Sequence, residues 1–160
     1  MLSDLETCIP ALRRYARALR PSPREADDLV RDCLVRALDK LHTRRDSGDM
    51  RVWLFAIMRN VSINQRRRSR LERAPMTDMT AEPGQESPVL VGDVARAFGQ
   101  LPEEQRQVML LVSLEDLSYV EAARVLRVPI GTVMSRLSRG RQQLRQVSEE
   151  AARQTPRRVK

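Results

Sequence analysis

Apolar residues recur along this chain at steps of three and four, and no stretch alternates apolar and polar at a step of two. That period belongs to helices with one buried stripe, so the chain is expected to be all-α. The first helix is expected over residues 5–19, with Leu5, Ile9, Leu12, Ala16 and Leu19 inward. Pro10 should bend it or start its regular part. Ser22, Pro23 and Glu25 then spell a capping box with proline at the first helical position. The helix they open should run to about Leu41 on a stripe of Ala26, Leu29, Val30, Cys33, Ala37 and Leu41. Asp28, Arg31, Asp32 and Val35 lie off that stripe, and Leu34 lies at its margin. After a polar loop over residues 43–48, Asp49 can cap a third helix carrying Met50, Trp53, Leu54, Ile57, Met58 and Val61. Trp53 falls on that stripe and is expected in the core. Phe55 stays open between packing and a stacking or wedge role. The helix runs straight into a basic end, Gln65 to Arg70.

Residues 74–92 break the pattern. They hold Pro75, Pro83, Gly84 and Pro88 and read as a linker. Their charges are Asp78, Glu82 and Glu86, with no base. A second helical block follows. Val94, Ala97, Phe98 and Leu101 mark one helix; Pro102, Glu103 and Glu104 open another, which continues through Val108, Leu111 and Val112. Ser118 and Glu121 form a further capping box, with Tyr119, Ala122, Ala123 and Leu126 on one face. Arg127, Val128 and Pro129 should stop that helix, since the residue before proline is pushed out of the helical region. The next helix places Ile130, Val133, Leu137, Gly140, Leu144 and Val147 inward, and Thr132, Ser135, Arg136, Arg139 and Gln143 outward. A short helix, a tight turn and a longer basic helix form the pattern of a helix-turn-helix DNA reader. After Val147 a frayed tail is expected.

Charge strengthens that reading. The chain has 160 residues, of which 29 are Lys or Arg against 21 Asp or Glu, a net charge of +8 that favours an anionic partner. Aromatics make up only 3%, which argues against single-strand binding by stacking platforms as the main mode. No apolar run is long enough for a membrane span, and no hydrophobic signal core opens the chain, so a cytoplasmic protein without membrane insertion is expected. Cys8 and Cys33 make no metal motif, and Cys33 reads as a buried small hydrophobe. His42, the one histidine, falls at a helix end. No cofactor or metal is expected.

Three groups of residues, in order, carry a family resemblance: Asp27-Asp28-Leu29-Val30-Arg31-Asp32; Val52-Trp53-Leu54-Phe55 with Arg59-Asn60; and Leu101-Pro102 leading to Gly131-Thr132-Val133-Met134-Ser135-Arg136-Leu137. Together they resemble the extracytoplasmic-function class of bacterial RNA polymerase sigma factors, in the sigma-70 family. The resemblance covers nearly everything from Leu12 to Arg145 and implies two small helical domains joined by a flexible linker. It implies a region 2-like domain over residues 1–73, an acidic linker over 74–92, a region 4-like helix-turn-helix domain over 93–147 and a disordered basic tail over 148–160.

The resemblance also implies roles. Asp28, Arg31, Asp32, Leu34 and Leu38 would dock on the clamp helices of the largest subunit of core RNA polymerase. The loop over 43–49 with Arg59, Asn60 and Asn64 would read and help melt the −10 promoter element, where a base must leave the stack. Arg66, Arg67, Arg68 and Arg70 would hold backbone phosphates. Gly131, Thr132, Ser135, Arg136 and Arg139 would meet the −35 element as duplex. The linker would thread polymerase channels, and an anti-sigma partner would hold the protein inactive. Arg31 and Met134 depart from the family pattern, which often has glutamine and a basic residue there.

An alternative is a dimeric helix-turn-helix repressor or activator on a palindromic site; the basic helix end in the other block argues against it. A nuclease would need a second carboxylate cluster beside Asp28 and Asp32, and the sequence has none. Acting as a polymerase subunit, the free chain is expected to be a monomer and not an enzyme.

Overall fold

The computed structural model describes residues 1–45, 48–72 and 89–154, and every regular element among them is helical. In the first block, α1 spans Leu2–Leu19, α2 spans Pro23–Leu41 and α3 spans Met50–Glu72. Helix α1 begins well ahead of Pro10, so proline neither starts it nor stops it. Pro10 is exposed, where water can serve the carbonyl it leaves unbonded. Ser22 caps α2, its hydroxyl accepting from the Glu25 N–H at 3.1 Å. Asp49 caps α3, its carboxylate accepting from the Arg51 N–H at 2.8 Å.

The three helices bury Leu12, Leu29, Leu54, Phe55 and Met58 between them. Phe55 is settled as core: it is 1% exposed, with its ring edge-on to Tyr15 at 5.2 Å. Trp53 is half-buried and packs on the margin of the core, with the Arg44 guanidinium 5.5 Å above its ring. Phe55, Met58 and Ser62 form a face three and four residues apart, and that face is buried too. The buried part of α3 is therefore wider than a single stripe, and it is packed by α1 as well as α2.

Cys33 is buried and its thiol donates to the Leu54 carbonyl at 3.6 Å. Burial alone pushes that thiol up to about 12. A thiolate is the species that alkylates, so at about pH 8 Cys33 should react only when the fold opens. Iodoacetamide labelling read by mass spectrometry is expected to follow global unfolding in denaturant; fast labelling of Cys33 in the native protein would contradict this packing.

In the second block, α4 spans Val89–Gln100 and so begins inside the stretch expected to be linker. The acids Asp78, Glu82 and Glu86 lie outside the described residues. Helix α5, Glu103–Met109, passes without a break into a π-helical turn, Leu110–Leu114. Helix α6 spans Tyr119–Leu126 and α7 spans Ile130–Gln154. Residues 148–154, expected to be tail, thus continue α7. Gly140 lets α7 lie close on α5, since a Cβ there would sit 2.6 Å from Met109 Sδ.

The two blocks are not separate in this structure. Helix α6 packs on α3, and α1 packs on α5 and the π-helical turn. The buried side chains of both blocks form one continuous cluster, from Leu12 and Phe55 to Leu111 and Val133.

Candidate nucleic-acid interface

The helix-turn-helix forms as its local chemistry requires. At the start of α6 both halves of the capping box are made: the Ser118 hydroxyl accepts from the Glu121 N–H at 3.2 Å, and the Ser118 N–H donates to Glu121 Oε2 at 2.8 Å. The bonds from the Ser118 backbone and then its side chain hold the Glu121 carboxyl below its ordinary value of 4.5. A depressed carboxylate adds stability above the unfolded value and loses it as pH falls through the folded value. The Glu121 contribution should therefore be complete above about pH 4.5 and vanish at lower pH. The Ser118 amide resonance is expected to titrate with a midpoint below 4.5, and Glu121→Gln should remove that titration.

The turn that follows falls on Arg127, Val128 and Pro129, as expected, with Arg127 in the left-handed region at φ 54°. There the Val128 N–H donates back to the Ala123 carbonyl at 3.2 Å, closing the helix end. Val133, Leu137 and Gly140 then bury as the stripe requires. Tyr119 and Ile130, expected on buried faces, are 37% and 45% exposed. Each is the first residue of its helix, ahead of the packed stretch.

The outward face of α7 presents Gly131, Ser135 and Arg139 to solvent, with Thr132 half-buried beside them. The Ser135 hydroxyl donates to the Thr132 carbonyl at 3.1 Å. Arg136 is 23% exposed and pairs with Glu104 at 3.5 Å. Met134 is exposed among them. The structure thus brings these five positions onto one side of α7, Arg136 already engaged and Arg139 open to solvent.

On α3, Arg59 and Asn60 are half-buried and Asn64 is exposed. Burial first, then Arg127 and Arg136, disfavour the charge on Arg59. Arg67, Arg68 and Arg70 are exposed at the end of the helix, while Arg66 is paired with Glu103 of α5. Loop residues 46 and 47, part of the expected −10 pocket, lie outside the described residues. On α2, Asp28, Arg31, Asp32 and Leu38 form an exposed face with Leu34 half-buried at its edge. Asp28 and Arg31 pair at 3.7 Å, and Asp32 accepts from Gln65 Nε2 at 2.8 Å, tying this face to α3. An open groove of about 360 Å³ runs beside it, lined by Arg20, Glu25, Asp28, Gln65, Arg66 and Arg68 among others.

Sequence reasoning missed Glu115. Its carboxylate is fully buried and accepts from Arg14 Nε at 2.9 Å, Arg14 Nη2 at 2.8 Å and Arg51 Nη2 at 3.4 Å. Arg51 also donates to the Glu115 carbonyl at 2.6 Å. The hydrogen bond to Glu115, more than any other influence, raises the basicity of Arg14. Two adjacent acids, Glu115 and Asp116, in a turn carry no periodic signal to say which is buried, and both arginines are far away in sequence. Among the described residues no group of His, Cys, Asp and Glu is arranged to hold a metal, and no helix is long and apolar enough to cross a membrane.

Known proteins resemble this chain in sequence and in fold. Residues 5–59 match the family model described as the Sigma2 domain of PhyR, and residues 92–144 match Sigma-70, region 4. The chain is 32% identical over 146 residues to the ECF RNA polymerase sigma factor EcfG of Rhodopseudomonas palustris, covering 88% of this chain and 81% of that protein. It is 33% identical over 142 residues to SigE of Mycolicibacterium smegmatis, covering 82% of this chain and 55% of SigE. Among solved structures, the sigma factor RpoE in complex with the anti-sigma factor NepR, from Bartonella quintana, superposes with a TM-score of 0.77 at 30% identity, over 92% of this chain and 95% of that one. CnrH, in complex with the cytosolic domain of CnrY, gives 0.69 at 26% identity, over 91% and 85%. On these matches the chain belongs to the extracytoplasmic-function class of RNA polymerase sigma factors.

Proposed function

We propose that the chain is a dissociable promoter-specificity subunit that binds core RNA polymerase and directs it to promoters with two spaced elements. The observation that carries this is the pair of arginine-bearing helices on one chain. One, α7, presents Ser135, Arg136 and Arg139 from a helix-turn-helix; the other, α3, ends in exposed Arg67, Arg68 and Arg70. Two weak grips on one chain add through effective concentration, so neither has to bind tightly alone.

In this reading residues 1–73 dock on polymerase through Asp28, Arg31, Asp32, Leu34 and Leu38, and read and open the −10 element through Arg59, Asn60 and Asn64. Arg66, Arg67, Arg68 and Arg70 hold phosphates there. Residues 74–92 span between the grips, and residues 93–147 read the −35 element through Gly131, Thr132, Ser135, Arg136 and Arg139. The chain supplies recognition and no catalysis of its own, and it works as a monomer in the cytoplasm. The likeness to RpoE, whose structure is a complex with the anti-sigma factor NepR, supports control of this chain by an anti-sigma partner.

Reconstitution with core polymerase on a randomised promoter library tests the reading. Selected transcripts should begin downstream of two conserved stretches at a fixed spacing. An absence of transcripts, or a single palindromic motif bound without polymerase, would refute it.

A further inference from the structure

The two blocks meet beside the proposed DNA-binding residues of α3. Helix α6 of the helix-turn-helix lies on α3, and the half-buried Arg59 of α3 is held near Arg127 and Arg136 of the other block. No DNA can pass between surfaces that are packed together, so α3 cannot offer Arg59 and Asn60 to a promoter in this arrangement. This inference rests on the proposed reading of α3 as a DNA-binding helix.

The seam joins the apolar cores of both blocks, and buried charge is set beside that apolar contact. Glu115 projects from the end of the π-helical turn into the first block, where its carboxylate accepts a bidentate pair from Arg14 on α1 and a further bond from Arg51 on α3. Its side chain is completely buried, and both arginines are partly buried over it. The backbone turns sharply at this point, since Asp116, just after Glu115, takes the left-handed region at φ 54°. A second ion pair, Arg66 with Glu103, spans the same seam.

We infer that this closed arrangement is a self-inhibited state of the free chain, with Glu115 as its latch between the blocks. A buried ion pair suits a latch. Its attraction is largely offset by the cost of taking the Glu115 carboxylate out of water, and on opening that carboxylate regains water. Losing the arginines is different: it strands Glu115, charged and dry, inside the closed seam. The like charges of Arg59, Arg127 and Arg136 already oppose closure. The closed state therefore sits where a polymerase or promoter that binds only the open form can shift it.

The test uses the full chain with one fluorophore on each block, at Glu6→Cys on α1 and Gln146→Cys on α7, both exposed sites. The native cysteines are buried and stay unlabelled. Glu115→Gln and the double change Arg14→Ala/Arg51→Ala should each lower energy transfer between the blocks while far-ultraviolet circular dichroism stays native. The double change leaves Glu115 in place, so a folding role for Glu115 in its own block cannot mimic the result. The same variants should bind a mixed-sequence single-stranded oligodeoxynucleotide about fivefold or more tightly than the parent chain. Unchanged transfer in both folded variants overturns the latch. Lower transfer with no tighter binding overturns self-inhibition. Lower transfer with no oligonucleotide bound by any form overturns instead the DNA-binding reading of α3, which separates the two failures.

Discussion

Phe55→Ala should cost this protein about 3–5 kcal/mol, the range for emptying a buried aromatic site. The ring is 1% exposed and meets Tyr15 edge-on at 5.2 Å. Such a pair adds about 0.5–1.5 kcal/mol beyond the area it buries. Alanine would leave a void between α1 and α3 that neither helix can close without disturbing the other. Against a total stability of about 5–15 kcal/mol, the loss would bring the fold near its limit. A urea melt followed by circular dichroism measures it. Trp53→Ala should cost clearly less, because Trp53 stands at the margin of the core with one face toward Arg44. The order of the two variants also decides between core and wedge. A wedge at Phe55 would predict a stable Phe55→Ala protein that fails only at opening DNA, and a loss under about 1 kcal/mol would support that view.

The contrast between these neighbours shows where sequence reading succeeds and where it stops. Helices α2, α3 and α6 were legible because period and caps are local: Ser22, Asp49 and Ser118 each make the predicted bond within three residues. Likewise the stripe of Val133, Leu137 and Gly140 needed only the helical step. The step places Trp53 beside Leu54 and Ile57, but it cannot say how wide the buried face is. That depends on whether α1 covers the side carrying Phe55, Met58 and Ser62, which is a tertiary fact. Helix ends at Val89 and Gln154 were misplaced although Pro88 and Pro156 stand close by, because a proline suits a linker or a tail as well as a helix boundary. The seam between the blocks was the least legible feature. Arg14 and Glu115 are separated by 101 positions, and a single long-range ion pair leaves no periodic trace. The proline-bearing stretch after α3 suggested blocks free to part, and nothing local records that they close.

Arg139→Ala combined with Arg136→Ala should weaken recognition of the upstream element by about 2–6 kcal/mol, since a good bidentate contact to a base edge contributes about 1–3 kcal/mol. The two arginines lie three apart on the outward face of α7, so both can reach one groove. Their separate effects should differ. Arg139 is exposed and ready, so Arg139→Ala should act fully on DNA binding. Arg136 must first leave Glu104, and that competition subtracts from what its DNA contact contributes. Glu104→Gln should therefore strengthen promoter binding, and should do so only while Arg136 is present. Binding by holoenzyme across a set of upstream-element variants, at several salt concentrations, reads out each case. Loss of a base reader flattens the preference at one position, whereas loss of a phosphate contact weakens all sequences alike and lowers the salt slope by about one. Arg67→Ala, Arg68→Ala and Arg70→Ala should show the second signature, because these side chains project from a helix end with no fixed orientation toward a base. If Arg139→Ala shows it too, α7 positions the duplex without reading it. Base choice upstream would then fall to Ser135 and Met134, where hydroxyl and methyl contacts discriminate less sharply than a guanidinium fork.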